Sequence, residues 1–128
     1  MSSPSNPFTW FSLALLAGAL VACSSEPASE PPPDPNSEQC KTSTLSYQNF
    51  AAPFVITWCR GCHGESQPVA MRQDAPIGVN FDTADDVRGA GDRLLARATG
   101  AAPTMPPAGG PSDEERALLA EWISCGMK

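Results

Sequence analysis

The chain has 128 residues and a formal net charge of −6. Glu26, Glu30, Asp34 and Glu38 carry four of its fourteen acids, so from Cys40 onward ten acids face eight bases. That length leaves room for one small domain, and without a basic patch or Arg and Lys interleaved with aromatics, nucleic acid is excluded as a partner.

Residues 8–22 (FTWFSLALLAGALVA) form an unbroken apolar run. At 15 residues the run falls short of the roughly 20 a spanning helix needs, but it suits the core of an export signal. It ends in Leu20-Val21-Ala22-Cys23, which resembles the lipobox of bacterial lipoproteins. That resemblance implies a signal peptide over residues 1–22, cut before Cys23, whose new N-terminus carries a lipid anchored in a membrane. A stray cysteine behind an ordinary signal, or a short membrane anchor, is the alternative. Residues 23–39 follow as a Pro-, Glu- and Ser-rich tether with nothing aliphatic larger than alanine. Such a segment cannot bury enough apolar surface to offset its ordering entropy. Extended, at roughly 3.1 Å per residue, it spans on the order of 50 Å and holds a domain clear of a membrane.

The domain is expected over residues 40–128, small enough to need a disulfide, a metal or a cofactor beside its core. Residues 45–59 place Leu45, Phe50, Phe54, Val55 and Trp58 near helical spacing, with Pro53 either kinking that helix or starting it. The segment runs into Cys59-Arg60-Gly61-Cys62-His63, and His63 is the chain's single histidine. Three chemistries use a C-x-x-C. A thioredoxin-like redox pair wants it at a helix N-terminus within a βαβ unit, and no such rhythm exists here. A structural zinc wants four ligands, which only convergence of Cys40 and Cys125 on the pair would supply. C-x-x-C-H is also the attachment signature of a c-type haem. Two thiols add to the two vinyl groups while the adjacent imidazole reaches the iron from one face, so Cys59 and Cys62 are the thioethers and His63 the proximal ligand.

Helix signals resume at Thr83, an N-cap with Asp86 three residues on. Val87, Ala90, Leu94, Leu95 and Ala98 share one face, and Gly100 ends a single helix over residues 83–99. The Pro- and Gly-rich loop over residues 100–111 contains Met105 between Thr104 and Pro106-Pro107, where prolines stiffen the backbone. Methionine is the usual sixth ligand of cytochromes c. Met105, 42 residues beyond His63, is the preferred candidate over Met71 and Met127. The last helix starts at Ser112 with Glu115 in the capping-box position and stops at Gly126. No stretch alternates with period two, so the fold class is all-α with long loops, which are uncommon unless something packs against them.

Five cysteines leave an odd thiol: with Cys23 lipidated and Cys59 and Cys62 on a haem, Cys40 and Cys125 remain. In an oxidising compartment these two pair, closing a loop of about 85 residues worth on the order of 4 kcal/mol in the chain-entropy model. Two free thiols are the alternative.

From residue 45 to 126 the chain resembles a class I c-type cytochrome of the small bacterial monohaem kind. The C-x-x-C-H, Pro76, the Met-Pro-Pro loop and the E-E-R-x-L-L-x-x-W-I helix carry the likeness. The resemblance implies three to five short helices wrapped around one covalent haem c, with terminal helices crossing, which suits a Cys40–Cys125 bridge. It implies His63 and Met105 as axial ligands of the haem iron, the Pro76 carbonyl on the His63 imidazole, and Trp122 near the haem, though Trp122 reads equally as core. The expected function is electron transfer by Fe(III)/Fe(II) cycling without substrate turnover. The chain would then be no enzyme and have no small-molecule substrate. Its partners would be a donor and an acceptor redox protein, met at a periplasm-facing membrane of the bacterial envelope. A haem-based small-ligand sensor, a weak peroxidase with a labile distal ligand, and the cytochrome subunit of a larger oxidoreductase are the alternatives.

Overall fold

The computed structural model describes residues 31–128. The expected signal over 1–22, Cys23 and the first part of the tether lie outside them. The described residues form six α-helices and no strand, in agreement with the all-α class. They are α1 (Glu38–Thr42), α2 (Ala52–Trp58), α3 (Arg60–His63), α4 (Ala84–Gly89), α5 (Gly91–Ala98) and α6 (Asp113–Ser124).

The first helix begins at Glu38, two residues ahead of the expected domain edge at Cys40, because Ser37 caps it by accepting the Cys40 N–H at 3.3 Å. Gln39 Nε2 and Ser43 Oγ donate to the two carboxylate oxygens of Glu121 on α6, at 2.9 and 2.6 Å. Cys40 and Cys125 are joined by a disulfide, with their Cα atoms 4.9 Å apart. The start of the domain is thereby fastened to its last helix.

Pro53 acts as the spacing anticipates. It sits in the first turn of α2, where its missing N–H leaves no bond unmade. Ahead of it, residues Tyr47–Ala51 wind as a wider π-turn capped by Ser46 and Asn49.

The single helix expected over residues 83–99 is instead two, α4 and α5, with Ala90 at φ −100° and ψ 8° between them. Glycines on either side of Ala90 weaken the helix there, and packing settles the break. A Cβ at Gly91 would lie 2.7 Å from Met127 Sδ, so the chain turns where α5 meets the end of α6. Val87, Leu94, Leu119, Trp122 and Ile123 join Phe54 and Val55 in one core, each side chain worth about 1.5–3 kcal/mol when fully buried.

Two capping boxes start α4 and α6. Asp86 Oδ2 accepts from the Thr83 hydroxyl at 2.7 Å and from the Thr83 N–H at 2.9 Å, which lowers its carboxyl below the ordinary 3.8. Glu115 is lowered from 4.5, mainly by the Ser112 N–H that donates to it at 2.8 Å.

Two outcomes follow for stability. Replacing both Cys40 and Cys125 by serine lowers the unfolding free energy by about 4 kcal/mol in a denaturant titration, since the unfolded chain regains the freedom of a long loop. Because Asp86 and Glu115 hold protons less tightly folded than unfolded, stability is lost as pH falls below about 4.5. The Asp86→Asn, Glu115→Gln double variant shows a flatter loss over that acid range in denaturant midpoints read at a series of pH values.

Candidate functional site

Cys59 is the joint between α2 and α3. It leaves the helix at φ −119°, and its carbonyl accepts from the Cys62 and His63 N–H groups at 3.1 and 2.9 Å. That single turn carries Cys59, Cys62 and His63 to the wall of one cavity of about 320 Å³. Phe54, Trp58, Phe81, Leu94 and Ala98 supply most of its apolar lining, and the loop after α5 adds Met105, Pro106 and Pro107. A volume of this order is typical of a small-molecule or cofactor pocket.

His63 is held at both ends. Its carbonyl accepts from the Phe81 N–H at 2.8 Å, and its ring lies 4.9 Å from the Phe81 ring. Its Nδ1 is 2.9 Å from the Val79 carbonyl, which can only accept, so Nδ1 carries the hydrogen and Nε2 keeps its lone pair. The resemblance assigned this contact to Pro76, and the structure corrects it to Val79. The reason is Arg72, which is 4% exposed. Its guanidinium donates to the carbonyls of Gly64 (2.6 Å), Pro76 (2.9 Å) and Val79 (3.2 Å) and to Asn80 Oδ1 (2.9 Å). The loop winds around this guanidinium so that the Val79 carbonyl, which Arg72 and His63 share, faces the imidazole, while the Pro76 carbonyl meets Arg72 without reaching His63.

To close around Arg72 the loop takes Gln73 and Asp74 through left-handed backbone, φ 49° and 65°, which costs a residue with a Cβ about 1–2 kcal/mol. The guanidinium bonds offset that cost. No spacing or periodicity signal marks Arg72, since an arginine in a Pro- and Gly-rich loop reads as a solvated side chain.

Of the three methionine candidates, Met105 alone lines the cavity. Met71 is 61% exposed on a short turn, and Met127 packs against Gly91 in the helix crossing. Trp122 lies in the core, 1% exposed, with its Nε1 donating to the Lys128 carbonyl, so its reading as core holds. The tryptophan of the cavity is Trp58. Its Nε1 donates to Glu115 Oε1 at 3.3 Å, and its ring lies against the backbone of Gly110, where φ is +128° and a Cβ would overlap it.

Cys59 and Cys62 are both free thiols, and burial pushes the Cys59 thiol up to about 12, with Arg116 opposing that rise. A thiol held so high is a poor redox nucleophile. The four-cysteine zinc arrangement has lost two of its members, because Cys40 and Cys125 are bonded to each other. Among the described residues no group of three or more His, Cys, Asp and Glu side chains gathers closely enough to hold a metal ion.

The charged residues in the cavity wall are Arg72, Arg93 and Arg97 against Asp74. Arg93 and Arg97 stand one turn apart on α5, exposed, and neither forms an ion pair among the described residues. Like charges at that spacing weaken a helix slightly, so the pair is better suited to an anionic ligand edge than to stabilising α5.

Arg72→Met leaves several carbonyls of the loop without a donor. It lowers stability by about 3 kcal/mol in a denaturant titration, whereas Met71→Leu, on the exposed neighbour, changes it by less than about 0.5 kcal/mol.

Compared with known protein families, with curated proteins and with solved structures, the chain matches none.

Proposed function

We propose that the chain is a monohaem electron-transfer protein. Cys59 and Cys62 would hold a c-type haem covalently, and His63 and Met105 would be the axial ligands. The observation that carries this reading is the convergence of two free thiols, an oriented imidazole and a thioether on one apolar cavity. Met105 comes to that cavity from 42 residues beyond His63 in the chain.

The residues fit such a group. Cys59 and Cys62, both free thiols at the cavity, would hold the group by adding S–H across its two vinyl double bonds, which would need no oxidant and release nothing. His63, with Nδ1 donated to Val79, presents Nε2 as a neutral ligand, the arrangement by which outer hydrogen bonds orient a metal-binding imidazole. Phe54, Trp58, Phe81 and Leu94 give the wall an apolar surface against which a porphyrin could pack. Arg93 and Arg97 bring positive charge that suits the two carboxylates of the porphyrin edge. When bound, the group supplies a one-electron Fe(III)/Fe(II) couple. The protein's part would be to hold that group in an apolar cavity whose two flanking loops are tied by Arg72 and Arg116. His63 and Met105 both line the cavity, and if both held the iron no position would be left for a substrate, which favours electron transfer over peroxidase or gas-sensing chemistry.

Export and a lipid at Cys23 are proposed from the sequence pattern alone. No helix among the described residues is long and apolar enough to cross a membrane.

The deciding experiment is an absorption spectrum of protein produced with a haem-attachment system, oxidised and then reduced. The expected result is haem that resists acid-acetone extraction, together with the weak far-red thioether-to-iron band in the oxidised state. Covalent haem without that band overturns Met105 as ligand and favours the open-site sensor or peroxidase. No covalent haem overturns the whole reading.

A further inference from the structure

A second arginine is nearly as buried as Arg72 and bonds the other long loop at the cavity. Arg116, on α6, is 7% exposed and forms no ion pair among the described residues. A buried cation without a carboxylate is costly unless its donors are used. Arg116 spends them on the loop between α5 and α6. Nη1 donates to Ala98 at 2.6 Å, where α5 ends, and to Met105 at 2.9 Å, in the middle of the loop. Nε donates to Pro111 at 3.3 Å, where the loop reaches α6. One guanidinium thus ties the beginning, middle and end of the segment that carries Met105.

Apolar contact holds that segment only at Met105, which packs against the core, and at Gly110, which lies against the Trp58 ring. Ala101, Ala102, Pro107, Ala108 and Gly109 are exposed, and Gly100 and Gly109 take left-handed backbone, so hydrogen bonds carry much of its shape. The Met105 N–H donates to the Arg97 carbonyl at 2.9 Å, and the Thr104 N–H donates to the same oxygen at 2.8 Å. Met105 is therefore bracketed, its N–H fixed by α5 and its carbonyl fixed by α6 through Arg116. Ala98 and Met105 line the cavity and Arg116 does not, so the guanidinium lies behind the cavity wall rather than out in solvent.

We propose that Arg116 is the positioning residue for Met105, holding the loop backbone so that the thioether stays presented to the cavity. The proposal rests on the haem reading for what Met105 binds, but the bracketing of the loop stands by itself. Without the guanidinium the Met105 carbonyl loses a charged donor, the loop opens, and the fraction of molecules with the thioether withdrawn rises.

The test uses full-length protein carrying its haem, with Arg116→Met and Arg116→Lys. In Arg116→Met the far-red band weakens and carbon monoxide binds the reduced protein about tenfold more tightly, because the fraction with a vacated axial position has grown by that factor. Arg116→Lys keeps the charge but cannot span three carbonyls. It falls between the wild type and Arg116→Met, and it carries the test if Arg116→Met does not fold. Hydrogen exchange at the Thr104 and Met105 amides, measured alongside, quickens in both variants. The Cys40→Ser, Cys125→Ser double variant, destabilised far from the cavity, keeps the band and resists carbon monoxide as the wild type does. The proposal is overturned if both Arg116 variants keep the full band and the wild-type exchange rates. It is equally overturned if the cysteine double variant loses the band as readily, since general loosening then explains the change. A wild-type protein without covalent haem sinks the haem reading instead, and the exchange rates then decide for or against Arg116 without it.

Discussion

A guanidinium buried among carbonyls is the interaction on which this structure depends. In a domain this small, with loops over residues 64–80 and 100–111, apolar burial alone leaves long stretches of backbone unheld. Arg72 gathers the first loop and Arg116 the second, each using its planar fork to reach several backbone oxygens at once. Lysine could not do this, having one small charged head in place of a fork. The cost of burying two charges is met by hydrogen bonds rather than by ion pairs among the described residues.

The two loops are also the ones that matter for the proposed chemistry. Arg72 helps to fix the Val79 carbonyl that orients His63, and Arg116 fixes the carbonyl of Met105. The first side of the cavity is built from local winding, since Cys59, Cys62 and His63 lie within one helical turn. The second side depends on the packing of α5 against α6, which fixes the ends of the loop bearing Met105. The disulfide, fastening α1 to the end of α6, sits away from this and braces the chain termini of the domain.

Such a division explains why some expectations were easy and others not. Capping boxes are local: Thr83 with Asp86 and Ser112 with Glu115 are pairs three residues apart, and both form as spaced. Pro53 likewise marks its helix start through a missing N–H that is local to the chain. The division of residues 83–99 into two helices is different. The Gly89-Ala90-Gly91 stretch permits a break, but the approach of Met127, 36 residues on, decides where it falls. That the Val79 carbonyl, and not that of Pro76, meets His63 is likewise set by how the loop winds around Arg72, whose burial leaves no mark in periodicity.

By itself the sequence determined the helical class, the cap positions and the thiol pair with its histidine, which follow from spacing and from hydrogen bonds within a turn. It left Cys40 and Cys125 as a bridge or as two free thiols, and the structure joins them. The sequence already preferred Met105 over Met71 and Met127, and the structure brings it to the cavity; the tertiary structure alone decided that Trp58 rather than Trp122 packs there and that Val79 holds the imidazole. Those outcomes turn on which long-range contacts exclude water and which buried donor reaches which carbonyl first. Such competition is resolved only when the whole chain has packed.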